Sequence, residues 1–219
     1  MNFQKHTSDE LVDLFNSKPF QGQSPEKARV VFLSSDANYS PEISNNPFFD
    51  KILEYQKDGV AFWEKHGCHH PFLLPSYPFS KSMAGVPFHR NFSKVGLTSK
   101  HAAYVSFVEL LDIPTIGNKS QNRNLFFQLV SKPHLEYLEN LMTNGGNKLF
   151  FVSNGVLKDI EKIKKSLPVF KWLDFKTGQR KQYSKEINGN KIQEIYHFSS
   201  SQIHGQTAAI AADIEKWLE

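Results

Sequence analysis

The fold of this chain is decided by residues 29–39, which read RVVFLSSDANY. The first part of the stretch is apolar and rich in β-branched side chains, and it ends abruptly at two serines and an acid. A segment that is apolar on both faces is typical of a central strand in a parallel sheet, and ligands of such sheets bind beyond the carboxyl ends of the strands. We therefore predict that Asp36 lies at the mouth of a cleft. The local pattern also fits a second interpretation, in which Asp36 and Asn38 only form a turn after the strand.

The remaining sequence alternates between strand-like and helix-like segments. Further strands are predicted at residues 104–111, 148–154 and 191–197, the last joined by Asn188-Gly189, a two-residue hairpin signal, to an arm at residues 182–187. Helices are predicted after the capping sequence at residues 7–10, from Asn46-Pro47 to Gly59, from there to Gly67, from residue 131 to Gly145, and over residues 156–167 and 208–218. Strands that alternate with helices over short links predict an α/β protein, a three-layer α/β/α sandwich with a mostly parallel central sheet.

The composition bounds the class of protein. With 219 residues, of which 39% are apolar and 13% aromatic, the chain can bury one substantial core, so we predict a single domain over residues 1–219. No stretch approaches the roughly 20 apolar residues of a membrane span, and residues 1–5 lack the apolar core of a secretory signal, so we expect a cytoplasmic or nucleoid-associated protein. A single cysteine, Cys68, excludes a disulfide within the chain and any site held by four thiolates.

Positive charge is concentrated in one part of the sequence. The formal net charge is +4, yet residues 158–191 hold ten lysines and arginines against four acidic residues, whereas residues 1–60 hold six against nine. A basic segment of this kind suits contact with a polyanion such as a nucleic acid. A lysine-rich surface that is only solvated explains the same composition.

The middle of the sequence, residues 68–96, is irregular. Four prolines prevent long helices or strands there, and aromatic residues recur throughout it. A loop of this length within a compact domain is usually functional or disordered, and its aromatic content argues against disorder. We predict that it folds over the cleft. Within it, residues 88–92 (FHRNF) either belong to the pocket or are held against the core by their aromatic rings.

A cluster of His66, Cys68, His69 and His70 has the residue types of a metal site. No matching pair of ligands elsewhere in the sequence completes a tetrahedral set, and adjacent histidines before Pro71 are poorly placed to bind one ion, so we expect no metal. The sequence also lacks a Gly-x-Ser-x-Gly elbow, a Walker phosphate loop and a Gly-x-Gly-x-x-Gly motif. These absences argue against a serine hydrolase and against a nucleoside-triphosphate or dinucleotide cofactor.

Three predicted strands end in polar residues, at Asp36, at Ser153-Asn154 and at residues 197–199 (HFS). Because the carboxyl ends of parallel strands meet at one edge of a sheet, an acid, an amide and an imidazole converge there. This order of motifs resembles the uracil-DNA glycosylase superfamily. Residues 34–38 (SSDAN) occupy the place of that family's first motif, and HFS is similar to its last motif, His-Pro-Ser. Residues 46–49 (NPFF) are similar to the Asn-Arg-Phe-Trp helix start of its mismatch-specific branch.

The resemblance implies a fold, an activity and a set of site residues. It implies a DNA glycosylase of base excision repair, a hydrolase that flips a damaged or deaminated base out of DNA and cleaves its N-glycosidic bond. Asp36 would act on the water and the sugar, and His197 on the departing base. The base-binding candidates are Asn38, Phe48, Phe49, Phe88 and Glu109, and the DNA-binding candidates are Ser34, Ser153, Asn154, Ser199, Ser200 and Ser201. We expect no cofactor, no membrane contact, and a monomer that binds duplex or single-stranded DNA.

Several positions depart from the family pattern. Ser34 and Ala37 replace its first glycine and its proline, and Asn38 stands where one branch has a tyrosine that excludes thymine. Glu109 stands where that branch has an asparagine that both donates to and accepts from uracil, whereas an ionised glutamate only accepts. A base with two donors would suit Glu109, unless its side chain faces away. The base stays open, as do two other functions: a catalytically inactive nucleic-acid-binding protein, and an N-glycosidic-bond hydrolase of free nucleosides or nucleotides.

Overall fold

The computed structural model of this chain describes residues 2–176, 178 and 182–219. Within them the strands are β1 (Gln4–Lys5), β2 (Phe20–Gly22), β3 (Val30–Ser34), β4 (Ala37–Asn38), β5 (Val105–Glu109), β6 (Pro114–Ile116), β7 (Leu149–Ser153), β8 (Ser184–Ile187) and β9 (Asn190–Ile195). The α-helices are α1 (Asp9–Ser17), α2 (Phe49–Lys57), α3 (Gly59–His66), α4 (Val86–Phe92), α5 (Arg123–Gln128), α6 (Lys132–Thr143), α7 (Asn154–Ile163) and α8 (Thr207–Leu218).

Every predicted strand and helix has a counterpart, and α1 and α2 begin close to the polar residues predicted to precede them. Ser8 accepts a hydrogen bond from the backbone N–H of Leu11 ahead of α1, and the Asn46 side chain accepts one from the N–H of Phe48 ahead of α2. The helices α4 and α5 are additions to the prediction, because each is short and α4 begins within the proline-rich middle of the chain. No helix within the described ranges is both long enough and apolar enough to cross a bilayer.

The strand β3 is the centre of the main sheet. The strand order is β2-β5-β3-β7-β9-β8, in which β5, β3, β7 and β9 run parallel and the edge strands β2 and β8 are antiparallel. The strand β3 pairs with β5 along Val30–Ser34 and with β7 along residues 30–33. The prediction of an α/β protein with a mostly parallel central sheet is confirmed.

Helices cover both faces of this sheet, because successive side chains of a strand point to opposite sides. Val31 and Leu33 of β3 pack with side chains of α6 and α7 in one apolar cluster, to which α5 contributes Phe126. Val30 and Phe32 pack with side chains of α3, α4 and α8 in a second cluster on the other face. The two clusters make β3 buried on both sides.

The predicted hairpin between β8 and β9 is confirmed. Asn188 and Gly189 have φ values of 49° and 83°, the left-handed region that a type I′ turn requires. The two strands pair from Ser184 opposite Gln193 to Ile187 opposite Asn190. Because β9 also pairs in parallel with β7, the residues after β9 reach the same edge of the sheet as the residues after β3.

The stretch after β3 contains a further strand that the sequence analysis does not predict. The strand β4 pairs in parallel with β6, and β6 pairs with β1, which forms a second sheet in the order β1-β6-β4. Asp36 lies in the short link between β3 and β4. The sequence pattern does not reveal this sheet, because β4 has two residues and its partner Thr115 lies far along the chain. The link that carries Asp36 is therefore held by β structure at both ends.

The basic segment, residues 158–191, runs along α7, β8 and the start of β9. Lys164 pairs with Glu161 at 2.7 Å and Lys185 with Asp174 at 3.1 Å, so part of its charge is used within the fold. Lys191 lies near the start of β9, at the opposite end of that strand from His197. Arg180 and Lys181 lie outside the described residues. Much of the segment therefore flanks the main sheet and lies away from the carboxyl ends of its parallel strands.

Candidate active site

A cavity of about 730 Å³ opens at the carboxyl ends of the parallel strands. Asp36 borders it after β3, Glu109 at the end of β5 and His197 after β9. The irregular segment at residues 68–96 supplies much of the facing wall, which confirms that it folds over the cleft. Sites for small molecules and cofactors typically have volumes of roughly 300–1,000 Å³. The cavity is thus large enough for a ligand and brings together residues from distant parts of the chain.

Asp36 is held in place by a threonine of the second sheet. The hydroxyl of Thr115 on β6 donates to Oδ2 of Asp36 at 2.6 Å. Burial raises the pKa of Asp36, while the hydrogen bonds from Thr115 and Asn38 and the charge of Lys119 act in the opposite direction. The carboxyl group of Asp36 is therefore hydrogen-bonded to a strand that is distant in sequence. In the turn interpretation, it would bond only within its own segment.

Asn38 borders the cavity, but its amide nitrogen is bound within the protein. Nδ2 of Asn38 donates to the carbonyl oxygen of Gly117 at 2.6 Å and to Oγ1 of Thr115 at 3.2 Å. The Thr115 hydroxyl thus accepts from Asn38 and donates to Asp36. The amide nitrogen of Asn38 therefore orients Thr115 and, through it, Asp36, and binding of the base by Asn38 stays a prediction.

Lys119 is a cation of the cavity that the sequence analysis missed. Its Nζ donates to the hydroxyl of Ser35 and, at 2.6 Å, to a carboxylate oxygen of Asp159. Asp159 has no exposed surface and also pairs with Arg123 at 2.5 Å. A buried carboxylate bound by two cations holds Lys119 in one position. No local pattern marks Lys119 or Thr115, because both act through partners that are distant in sequence.

His197 is exposed where it borders the cavity. A hydrogen bond to its ring identifies which of the two ring nitrogens carries the proton. The backbone N–H of Ser199 donates to Nδ1 of His197 at 3.1 Å. Desolvation by the surrounding protein lowers the pKa of His197, and the positive charge of Lys119 lowers it further. The ring is therefore neutral at pH 7, and it carries its proton on Nε2 because Nδ1 is the acceptor. Its Nε2–H is a neutral donor.

Glu109 faces the cavity, so the alternative that its side chain faces away is wrong. It lies opposite Ser34 in the pairing of β3 with β5, and its side chain is 5% exposed. Burial and, second, the charge of Asp36 raise the pKa of Glu109 to about 8. The ionised form assumed from the sequence is therefore the minor form at neutral pH.

Of the three phenylalanines expected to stack on a base, Phe88 borders the cavity, with its ring centroid 5.7 Å from that of His197. The expectation for Phe48 and Phe49 is corrected, because both are buried in an apolar cluster with residues of α1 and α2. The Phe48 ring lies behind Tyr77, with 5.3 Å between the centroids, and Tyr77 borders the cavity. The first turn of the amphipathic helix α2 thus faces the core.

Among the polar residues expected to bind DNA, two border the cavity: Ser34 and Ser199. Ser153 instead accepts a backbone hydrogen bond as the N-cap of α7, and Asn154 donates to Glu194 at 2.7 Å. Ser200 caps the following short helix, in which Ser201 is exposed. Ser153 and Asn154 thus stabilise local structure at the start of α7. The predicted contact of Ser200 and Ser201 with DNA stays a prediction.

Three histidines are buried side by side: His69, His70 and His89. The rings of His70 and His89 stack with 3.6 Å between centroids, and burial lowers the pKa of all three residues, that of His69 to about 3. His66 instead pairs with Glu54 at 3.0 Å, and the Cys68 thiol donates to a backbone oxygen. In the described part of the chain, no three His, Cys, Asp or Glu side chains are placed to hold a metal ion.

No protein-family model, curated protein or solved structure matches this chain. The resemblance to uracil-DNA glycosylases rests on the sequence motifs alone, and the functional interpretation rests on the chemistry of the cavity.

Proposed function

We propose that this protein is a DNA glycosylase-like hydrolase with the three-layer fold of the uracil-DNA glycosylase superfamily. It would cleave the N-glycosidic bond of a damaged or deaminated base that has been flipped out of DNA. The observation that carries the proposal is that Asp36 and His197 border the same cavity. Cleavage of this bond builds positive charge on the sugar and negative charge on the base. The cavity offers one group suited to each charge.

Asp36 suits the sugar side of the reaction. In the proposed step, a water oxygen forms a bond to C1′ of the sugar, the bond from C1′ to the base nitrogen breaks, and its electron pair leaves with the base. The Asp36 carboxylate stabilises the sugar cation and accepts a proton from the water. Thr115 supports this role because its hydroxyl fixes Oδ2, and the raised pKa of Asp36 makes it a stronger base than an ordinary carboxylate.

His197 suits the departing base. Its neutral ring carries the proton on Nε2, since Nδ1 accepts from Ser199. A hydrogen bond from Nε2 to an oxygen of the base strengthens as negative charge develops there, because bonds to charged acceptors are the stronger ones. The lowered pKa of His197 keeps the ring neutral over the physiological range. The same ring thus stabilises the leaving group without transferring a proton.

Aromatic side chains along the cavity suit the face of a flipped base. Phe72, Tyr77 and Phe88 border it, and Phe88 lies beside His197. Stacking of a base on an aromatic ring is worth about 1–3 kcal/mol. This interaction would offset part of the free energy needed to unstack the base from the duplex.

DNA is the proposed partner, bound by a single copy of the chain. The hydroxyls of Ser34 and Ser199 border the cavity and suit phosphate oxygens, and Lys119 adds a positive charge there. The basic segment at residues 158–191 supports the proposal through its composition, although much of it flanks the sheet. Binding that depends on such charges weakens steeply as salt is raised.

The proposal is tested by incubating the protein with duplex and single-stranded oligonucleotides that carry uracil, hypoxanthine, xanthine or an alkylated base, and by measuring abasic sites. We expect base release from at least one of them. Asp36→Asn keeps the size of the side chain and an acceptor for Thr115, so oligonucleotide binding should change little. Base release should fall about 10²–10⁴-fold, the usual contribution of a general base.

Two results would contradict the proposal: no abasic sites with any oligonucleotide, or equal rates for the wild type and Asp36→Asn. Free deoxynucleosides serve as the control substrates. Their cleavage at the same rate as oligonucleotides, with little dependence on salt, would assign the enzyme to free nucleosides.

A further inference from the structure

Three side chains that border the cavity have a buried oxygen without a hydrogen-bond partner among the described residues: Oε2 of Glu109, Oε1 of Gln21 and the hydroxyl of Tyr77. Each of these residues is 5% exposed or less. A buried polar atom without a partner costs about 1–3 kcal/mol, so native proteins keep few of them. Three such atoms beside one cavity indicate a ligand that supplies missing partners, and two of them, on Glu109 and Gln21, belong to the main sheet.

The sheet places these two residues on one face. Gln21 of β2 lies opposite Phe107 of β5, and Glu109 follows Phe107 by two positions, so the three side chains point to the same side. Phe107 also borders the cavity. Nε2 of Gln21 donates to the hydroxyl of Tyr39 at 3.2 Å, which leaves Oε1 as the acceptor end of the amide. The flat ring of Phe107, beside the amide acceptor of Gln21 and the carboxyl group of Glu109, suits the binding of a nucleobase.

The neighbours of Glu109 determine its charge. Three titratable groups are coupled through charge to its carboxyl: Asp36 beside β3, Tyr39 after β4 and Tyr55 from α2. The titratable groups His70, Tyr77, His89 and His197 border the same cavity. On α6, His134 contacts the backbone oxygen of Glu109 at 2.8 Å. The nearby cation Lys119 is bound to Asp159. Burial and the charge of Asp36 raise the pKa of Glu109 to about 8, so it is mainly a carboxylic acid at neutral pH.

We propose that Glu109 binds the base as a neutral carboxylic acid and so selects a base edge with a hydrogen-bond donor next to an acceptor, such as the N–H and C=O of uracil, hypoxanthine or xanthine. The acid O–H donates to the base oxygen, and its C=O accepts from the base N–H. Oε1 of Gln21 accepts from a further N–H where the base has one. This inference rests on the proposed function, and it reverses the expectation that Glu109 selects two donors.

The charge of Glu109 is measured without any catalytic assay. The ¹³C signal of its side-chain carboxyl, identified by its loss in Glu109→Gln, is followed by NMR across the pH range. A titration midpoint near pH 8 is expected. A midpoint within about one unit of the ordinary glutamate value would overturn the inference, whether or not the protein cleaves DNA.

Cleavage of the best oligonucleotide tests the role in binding. Glu109→Gln keeps a donor beside an acceptor at nearly the same size, so its cleavage rate should be several-fold lower at neutral pH and should not decline above pH 8. The cleavage rate of the wild type should fall by up to about tenfold per pH unit above pH 8. Glu109→Leu removes both hydrogen bonds, so its cleavage rate should be about 100-fold lower or more. Thermal unfolding checks that both variants are folded.

Two kinetic results would overturn the inference. One is a Glu109→Gln variant as inactive as Glu109→Leu, and the other is a wild-type rate that stays flat through pH 9. If no oligonucleotide is cleaved, the proposed function fails, and the carboxyl titration still decides whether Glu109 is the acid.

Discussion

At the scale of single residues, the chemistry of the site depends on where one proton lies. Asp36 and Glu109 are two carboxyl groups on one cavity, and their repulsion disfavours ionising both. Asp36 has the Thr115 hydroxyl and the Lys119 charge beside it, whereas Glu109 is buried with the phenols of Tyr39 and Tyr55 nearby. These surroundings favour the proton on Glu109, whose pKa is raised to about 8. Such a division lets one acid act as a base while the other donates a hydrogen bond.

Lys119 is predicted to determine the pH range of the reaction. Its charge lowers the pKa of both Asp36 and His197, so Lys119→Met should raise both values. Because the proposed reaction needs an ionised Asp36 and a neutral His197, the acid limb of the kcat/KM profile should move up by as much as about one pH unit.

Lys119→Arg is the matched control for this prediction, since it keeps the charge and the contact with Asp159. Its acid limb should stay close to that of the wild type. Acid limbs that coincide for the wild type and Lys119→Met would show that the Lys119 charge does not act on the site. Urea denaturation of each variant separates this effect from a loss of folding, because Lys119→Met leaves the buried Asp159 with Arg123 alone.

At the scale of secondary-structure elements, small pieces of β structure position the candidate residues. The strands β4 and β6 bring Thr115 to Asp36, although neither strand exceeds three residues. The edge strand β2 carries Gln21 to the cavity, and its last residue, Gly22, packs against the first residue of α3, Gly59. The position of Gln21 therefore depends on a close contact between two backbones.

This contact is predicted to tolerate no side chain at position 59. A Cβ on Gly59 would lie 2.7 Å from the Cα of Gly22, and backbone cannot move aside as a flexible side chain can. Gly59→Ala should lower the free energy of unfolding by about 1–3 kcal/mol, measured by urea denaturation.

Gly205→Ala is the control for the glycine contact, because a Cβ there would meet no described atom within 4 Å. Its free energy of unfolding should stay within about 0.5 kcal/mol of the wild type. Equal stabilities of the two variants would mean that the contact between β2 and α3 is loose.

At the scale of the whole molecule, buried histidines couple folding to pH. His69, His70 and His89 stay neutral in the folded protein at pH values where the unfolded chain takes up protons. Their stabilising contribution is complete above the ordinary histidine pKa of 6.5 and is lost as the pH falls toward the lower folded values. Glu109 acts in the opposite direction, because its raised pKa makes stability fall as the pH rises toward 8. Asp36, whose pKa is also raised, acts in the same direction as Glu109, and the three histidines outnumber these two acids on the acidic side.

Stability is therefore predicted to fall as the pH drops below 6.5, by up to about 1.4 kcal/mol per pH unit for each histidine. His70→Asn removes one titrating group and keeps an acceptor for the N–H of Phe72, which Nδ1 of His70 now binds at 3.2 Å. Urea denaturation between neutral and mildly acidic pH should give a shallower slope for this variant. A slope equal to that of the wild type would show that His70 is not part of the coupling.

The main sheet could be predicted because its signals are local. The apolar run before Ser34 and the Asn188-Gly189 turn depend on neighbouring residues, and both have the expected structure. Asp36 and His197 could be placed at one edge because they directly follow parallel strands. The expectation that Phe48 binds a base came from the resemblance of residues 46–49 to a family motif, and it failed because Phe48 is buried in the core.

The sequence by itself determined the four parallel strands of the main sheet, the hairpin that joins β8 to β9 and the side chains that follow the carboxyl ends of β3 and β9. Only the tertiary structure decided that Thr115 and Lys119 join Asp36, that Asn38 orients Thr115, and that Glu109 is a buried acid. The physical reason is that strand and turn patterns depend on neighbours along the chain. The pKa and orientation of a side chain depend instead on burial and charges that distant segments bring together.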